Sequence, residues 1–162
     1  MASENMIQKI NYQINREIYS AYLYLSMSSY AESIGLKGFA NWFNVQVKEE
    51  LSHAEKLYKY IFQIGAKVEL LAIEAPEKDF ISVLDLFERT YAHEKNVTAM
   101  IDELVKTAKE ENDVETEEFL QWFVKEQIEE EASSGGKLKK VQAVGDDEEA
   151  LKSLDSELAE RK

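Results

Sequence analysis

Hydrophobic residues recur every three or four positions along most of this chain, which is the spacing that puts them on one face of an α-helix. Six glycines and a single proline interrupt the pattern at only a few places. Ser3 and Ser82 stand where helix N-caps are expected, and Asp85 follows Ser82 at the spacing of a capping box. The pattern predicts four long helices and one short one, with approximate bounds 3–35, 39–65, 82–110, 113–144 and 146–159.

The lengths of the connections predict how these helices are arranged. The turns at 35–38 and 110–113 are short, so each joins antiparallel neighbours. The segment 65–82 contains the proline and, at about 3.3 Å per extended residue, is long enough to run the length of a helix. We therefore expect residues 1–145 to form an all-α four-helix bundle with one long crossover. Residues 146–162 are expected to add a short fifth helix to the same domain.

Each of the four long helices carries polar residues in the middle of its hydrophobic face. A single buried polar group is often simply hydrogen-bonded within the core, and that interpretation stays open for each helix taken alone. Four such groups at matching depth are different, because facing carboxylates repel one another and take up protons. A shared cation removes this penalty. The residues are Glu17 in the first helix, Glu50 and His53 in the second, Glu94 in the third, and Gln127 and Glu130 in the fourth.

The spacing of these residues favours a site for two metal ions. Glu50 and His53 are three positions apart, so both side chains point to one place. One Glu from each of two helices and Glu-x-x-His from each of the other two is the pattern of di-iron carboxylate bundles. Here Gln127-x-x-Glu130 stands in place of the second Glu-x-x-His. The second ion is therefore expected to have oxygen ligands, which suit iron or manganese.

Further candidate residues lie next to the predicted ligands. Glu49, Glu126 and Glu129 are either a solvated edge of the bundle or the ligands of a third, looser metal site. Tyr24 follows Glu17 by two helical turns on the same face. It is either an ordinary core tyrosine or an electron donor to the metal ions.

Two other residues near the predicted ligands are expected to have different roles. Trp122 lies just off the inward face of the fourth helix and is expected to pack near the site. His93 directly precedes Glu94 and therefore points elsewhere. We expect a surface or subunit-contact role for His93 rather than metal ligation.

Composition narrows the classes of function. The formal net charge is −13, with 32 acidic and 19 basic residues, so nucleic acid is not an expected partner. The absence of cysteine excludes disulfides, zinc fingers, iron–sulfur ligation and thiol catalysis, and it suits a reducing compartment. The amphipathic N-terminus does not resemble a signal peptide, and no apolar run reaches membrane-spanning length. A cytoplasmic protein without a membrane partner is expected.

Several segments, in order along the chain, resemble the non-haem ferritins of bacteria and archaea. The resemblance covers essentially the whole chain and is strongest from residue 1 to about 134. It implies a ferritin-like four-helix bundle that assembles into a hollow shell of twenty-four identical subunits. The segments are NREIYSAYLYLSMSSY, GFANWF, EELSHAEKL, TYAHEKNVT and FLQWFVKEQIEEEAS.

The resemblance also implies a role for each candidate residue. Two irons per subunit are oxidised from Fe(II) by dioxygen or peroxide at a ferroxidase site, and ferric mineral is stored in the shell. Tyr24 corresponds to the redox tyrosine of the family. Glu49, Glu126 and Glu129, which share Glu130, correspond to a third iron site. The implied ferroxidase ligands are Glu17, Glu50, His53, Glu94 and Glu130, with Gln127 beside the second iron.

The haem-binding bacterioferritins fit this chain less well. They usually repeat Glu-x-x-His in the second half, where this chain has Gln127-x-x-Glu130. Their haem-ligating methionine falls at Leu51. We therefore expect no haem.

One region departs from the family pattern. Gly135 and Gly136 each cost roughly 1 kcal/mol relative to alanine in a helix interior, so they are expected to kink or end the fourth helix. The final segment, residues 146–162, is highly charged where the family packs its short helix around the four-fold axis of the shell.

Two other classes of function stay open. The first alternative function is a ferritin-like di-iron oxidase, oxygenase or peroxidase without storage. The second is a structural helical protein with a fortuitous polar core.

Overall fold

The computed structural model describes residues 1–162 and contains five α-helices and no strands. The predicted class, an all-α four-helix bundle with a short fifth helix, is confirmed. The second helix begins two residues before the predicted Phe39. None of the helices is long and apolar enough to cross a membrane. The helices are α1 (Glu4–Ser33), α2 (Lys37–Gln63), α3 (Val83–Glu110), α4 (Val114–Val144) and α5 (Glu148–Leu158).

Short-range sequence signals set most of the helix ends. Four helices begin after a residue whose side-chain oxygen accepts a backbone N–H of the first turn, which satisfies a donor that the helix itself leaves free. Gly35 and Gly65 follow the C-caps of α1 and α2 with φ of +79° and +72°, a left-handed conformation that glycine adopts without strain. The four capping residues are Ser3, Ser82, Asp113 and Asp147.

The connection between α2 and α3 runs along the outside of α1. Asn11, Asn15 and Ser26 each donate a side-chain hydrogen bond to a backbone carbonyl in the segment 64–82, at 3.1, 2.9 and 2.7 Å respectively. These three donors are spread over about four turns of α1. The connection therefore spans the bundle lengthwise, as its length predicts, and α2 and α3 run parallel.

The core consists of two hydrophobic clusters with a polar layer between them. Both clusters draw on all four long helices, so the polar layer lies at one depth in the bundle. The α5-side cluster includes Tyr24, Met27, Phe39, Trp42, Phe43, Leu86, Phe87, Val141, Leu154 and Leu158. The far cluster includes Met6, Ile10, Ile14, Leu57, Tyr60, Ile61, Val97, Ile101, Leu104, Leu120 and Phe123.

The fourth helix does not end at the double glycine, so one of the two outcomes expected there is wrong. Helix α4 continues through Gly135 and Gly136 to Val144. A Cβ added at Gly135 would lie 3.1 Å from the ring of Tyr91, so this glycine lets α4 approach α3 closely. Ser134 on one side and Val141 on the other are buried, and this tertiary packing outweighs the low helix propensity of two adjacent glycines.

Helix α5 packs across the start of α2. The N-cap position of α2, Leu36, has no side chain that can cap the helix. Instead, the Asp155 carboxylate of α5 accepts the Phe39 N–H at 3.0 Å. A Cβ at Gly38 would lie 1.7 Å from the Asp155 carbonyl oxygen, so only glycine permits this approach. The fifth helix thus completes the N-terminus of the helix that carries two predicted metal ligands.

Candidate metal centre

The polar layer brings together all six residues that the sequence predicts as central ligands. They come from four different helices, and each has at most 4% of its surface exposed. Their burial places several carboxylates in a region of low dielectric constant with no lysine or arginine among them, an arrangement that is costly without a cation. The six are Glu17, Glu50, His53, Glu94, Gln127 and Glu130.

The side chains form overlapping sets that can each hold a cation. Glu17, Glu50 and His53 place one possible ligand atom each within 4.8 Å of the others. Glu50, Glu94 and Glu130 do the same. Because Glu50 belongs to both sets, its carboxylate is positioned to bridge two neighbouring ions.

The first of these cation positions contains an unsatisfied ligand atom. Glu17 Oε2 is buried and has no hydrogen-bond partner, while Gln13 donates to Glu17 Oε1 at 3.0 Å. His53 Nδ1 lies 3.2 Å from Glu50 Oε2 and 3.8 Å from Glu17 Oε2. An orphaned carboxylate oxygen beside an imidazole and a second carboxylate fits a bound cation, which would supply the missing partner.

Two hydrogen-bond donors hold Glu94 in the second position. The Tyr24 hydroxyl donates to Glu94 Oε1, and Gln127 Nε2 donates to Glu94 Oε2 at 3.2 Å. Gln127 therefore lies beside the second cation position, as predicted, and its amide N–H₂ faces the Glu94 carboxylate. Neutral donors of this kind orient a carboxylate without competing for a cation.

Gln46 also belongs to the centre, although no role for it was predicted from the sequence. Its Nε2 donates to Glu130 Oε2 at 2.7 Å and to Glu50 Oε1 at 3.2 Å. It lies one helical turn before Glu50 on the same face of α2. The only sequence signal for it is a polar residue that interrupts the hydrophobic stripe at that point.

Without a cation, protons compensate the charges of the centre. Burial, reinforced by the charge of Glu94, raises the pKa of Glu50 well above its usual range and that of Glu130 to about 8. Burial also raises the pKa of Glu94. Burial opposes a charge on His53, but the neighbouring carboxylates of Glu17 and Glu50 outweigh burial and raise its pKa to about 11. Metal ions that bind here must displace these protons.

Glu17 behaves differently from the other buried carboxylates. Burial favours its neutral form, but the charged imidazole of His53 nearby outweighs burial and lowers its pKa. The metal-free centre therefore holds a charged Glu17–His53 pair beside carboxylates whose pKa values are raised. The two cation positions thus differ in charge as well as in ligand type.

The three residues predicted for a third site are placed differently from one another. Glu126 Oε1 lies 3.3 Å from His53 Nε2, and with Glu130 these residues form a further set that can hold a cation. Glu49 instead forms a salt bridge with Arg161 at 3.0 Å. Glu129 is exposed. Their joint role as a third site stays a prediction.

The aromatic residues pack around the centre. Tyr24 is fully buried, and burial together with the Glu94 charge raises its pKa well above the usual range, so its phenol stays neutral. Trp122 contacts the edge of the His53 ring, with ring centroids 5.5 Å apart, as expected for a packing role.

His93 is not on the open surface, one of the two roles expected from the sequence. Its Nε2 lies 2.7 Å from Ser20 Oγ, and its ring meets Tyr24 edge-on at a centroid distance of 5.8 Å. The one-residue step from Glu94 turns this side chain by about 100° around α3, toward α1. Burial lowers the pKa of His93 to about 4, so the imidazole is neutral.

Fold and site together define a helical-bundle protein with a buried, carboxylate-rich centre whose side chains could hold cations. Comparison with known proteins identifies the family. The family model described as a ferritin-like domain matches residues 7–144. The chain therefore belongs to the ferritin family of iron-storage proteins.

Individual relatives match along their whole length. The chain is 38% identical to a bacterial non-heme ferritin of Staphylococcus aureus, covering 99% of this chain and 97% of that protein. It is 40% identical to a probable bacterial non-heme ferritin-like protein of Haemophilus influenzae, covering 98% and 96%. Among solved structures, an open pore ferritin from Archaeoglobus fulgidus superimposes with a TM-score of 0.99 at 51% identity, covering 100% of both chains.

Proposed function

We propose that this protein oxidises Fe(II) to Fe(III) at the buried centre and stores the ferric product inside a multisubunit shell. The observation that carries the proposal is the overlap of two cation sets at Glu50, beside the orphaned Glu17 Oε2. A bridging carboxylate holds two Fe(II) ions close enough to act on one oxidant molecule. Two Fe(II) ions lose one electron each, and with two protons these electrons reduce one dioxygen to hydrogen peroxide.

The ligand set favours the oxidised product. Carboxylate oxygens are hard, negatively charged ligands and stabilise Fe(III) more than Fe(II). The position formed by Glu50, Glu94 and Glu130 has no imidazole. We propose that an ion held there moves on more readily, through Glu126 and the exposed Glu129, toward the storage cavity.

We propose that, when the hydrogen peroxide is reduced further to two water molecules, one more Fe(II) supplies one electron and Tyr24 supplies the other, leaving a neutral tyrosyl radical. The Tyr24 hydroxyl already donates a hydrogen bond to Glu94, so a proton acceptor is in place when the phenol loses an electron. His93 packs edge-on against the same ring and shields it from water. The phenol therefore has one defined route for its proton.

Storage requires assembly, and we propose a homo-oligomer of twenty-four subunits. The support is the match over the full chain to structures described as an open pore ferritin and an engineered closed form of the Archaeoglobus fulgidus ferritin. The net charge of −13 suits a protein that concentrates iron cations, and nucleic acid or membranes are not proposed as partners. We place the protein in the cytoplasm and expect no haem.

A double variant tests the oxidation site. Glu50→Ala with His53→Ala removes the bridging carboxylate and the imidazole together, and it should abolish fast Fe(II) oxidation in stopped-flow measurements. Glu55→Ala is the matched control, since Glu55 lies on the same helix with its side chain 60% exposed and pairs only with Lys59. An unchanged initial rate in the double variant would contradict the site assignment.

Sedimentation velocity separates storage from oxidation alone. A large uniform shell that becomes denser after aerobic Fe(II) addition is the expected result. Small oligomers that oxidise iron but let it precipitate would support the alternative function, a di-iron oxidase without storage. An oxygenase also needs a substrate pocket at the metals. A groove of about 500 Å³ between α1 and α3 is lined by none of the six central ligands.

A further inference from the structure

The penultimate residue of the chain, Arg161, reaches back to the edge of the metal centre. Its Nη2 donates to Glu49 Oε2 and to Gln46 Oε1, both at 3.0 Å. Its Nη1 donates to the Trp42 carbonyl at 3.0 Å, and the guanidinium lies 4.4 Å from the Trp42 ring centroid. The side chain of Arg161 is only 20% exposed. A terminal arginine with this many partners is held in one place.

The chain on either side of the contact explains how the arginine is positioned. Leu158 is buried in the α5-side cluster and anchors the end of α5. Asn41 Nδ2 then donates to the Arg161 carbonyl at 3.0 Å, which fixes the backbone beyond the helix. Leu158 keeps α5 docked, whereas the residues beyond it also depend on the side-chain contacts of Arg161, so release of the guanidinium from Glu49 loosens them.

Arg161 is linked to the inner ligands through one amide. Gln46 accepts from Arg161 with its oxygen and therefore presents its N–H₂ to the carboxylates, donating at 2.7 Å to Glu130. The amide cannot turn around without placing its oxygen against Glu130 and its N–H₂ against the guanidinium. Arg161 thus belongs to the hydrogen-bond network of the centre, one residue removed from the ligands.

We propose that Arg161 is a displaceable internal cation, which occupies the Glu49 carboxylate until a third metal ion binds there. The proposal rests on the function proposed above and concerns the least tightly held of its sites. A metal ion on Glu49 and a guanidinium on the same carboxylate would be like charges a few ångströms apart, which repel each other even at this partly exposed carboxylate. Third-ion binding and release of the arginine are therefore one event.

Isothermal titration with Fe(II) under strictly anaerobic conditions measures the competition. The wild-type shell should bind two ions per subunit tightly and a third more weakly. Arg161→Ala should strengthen binding of the third ion about fivefold, because a partly exposed ion pair of this kind contributes modestly. Arg161→Lys keeps the charge but loses the planar fork and should give an intermediate affinity. Lys162→Ala, which removes the neighbouring exposed charge, should match the wild type.

Amide hydrogen exchange of the peptide 155–162 reports on the tail itself. In the wild type, exchange should stay slow with two Fe(II) per subunit and become faster when the third ion binds. In Arg161→Ala it should be fast throughout. The inference is overturned if Arg161→Ala and the wild type bind the third ion with the same affinity, or if neither binds a third ion. It is also overturned if the exchange rate does not change when the third ion binds. Loss of the two tight ions from the wild type would instead overturn the proposed function.

Discussion

Metal binding to the apo protein should release protons, and the number follows from the structure. The pKa of Glu130 is about 8 and that of His53 about 11 in the metal-free centre. At pH 7 these values leave about nine tenths of Glu130 and nearly all of His53 protonated. Both must lose the proton to bind a metal ion. These two groups alone release about two protons per subunit.

The pH dependence of this release makes the prediction specific. At pH 9 Glu130 is only about one tenth protonated before the metal binds, whereas His53 is unchanged. The number released should therefore fall by about one proton between pH 7 and pH 9. Affinity for Fe(II) should rise over the same interval, because fewer protons compete for the ligands.

Anaerobic calorimetry in two buffers of different ionisation enthalpy counts these protons directly. Glu130→Gln carries no titratable proton and should release about one fewer at pH 7, while the exposed control Glu55→Ala should release the wild-type number. Binding of two ions with no proton release at pH 7, or with equal release at pH 7 and pH 9, would refute the picture of a centre neutralised by protons.

Three further predictions concern stability and electron transfer. Between pH 7 and pH 9, Glu130 and His53 hold more protons in the native apo protein than in the unfolded chain. The melting temperature should therefore fall as pH rises, and a rise would contradict the raised pKa values. Gly136→Ala, where a Cβ meets open space, should stabilise by up to about 1 kcal/mol in denaturant unfolding, and Gly135→Ala by less because Tyr91 is in the way; equal gains would refute the packing argument. Tyr24→Phe should lose any tyrosyl radical signal formed on aerobic Fe(II) addition, whereas Tyr60→Phe in the far cluster should keep it.

The sequence predicted the bundle well because its signals are local and repeated. Helical periodicity, the capping residues Ser3 and Ser82, and the glycines at turns each concern a few neighbouring residues. The long crossover could be predicted from the length of the segment 65–82 alone. That the six residues of the polar layer lie together could be predicted, because a polar residue on a hydrophobic face is a conflict that the sequence itself displays.

Other features depend on contacts between distant segments, and the sequence could not supply them. The effect of Gly135 is decided by Tyr91 on another helix, so propensity alone gave the wrong answer. Asp155 caps a helix that begins more than a hundred positions earlier. The residues next to Gly135 and Asp155 in the sequence do not indicate that Tyr91 and Phe39 are their partners.

The arrangement of the core explains how the bundle stays folded around its buried layer of carboxylates. A layer of buried carboxylates destabilises a bundle, and four protonated or charged acids in one plane offer little hydrophobic burial. Here the layer lies between two hydrophobic clusters, each built from all four long helices, so the helices are fixed on both sides of it. The ligands can then exchange protons for metal ions without moving the backbone. A centre at the end of the bundle would have packing on one side only, and each cycle of binding and release would loosen it.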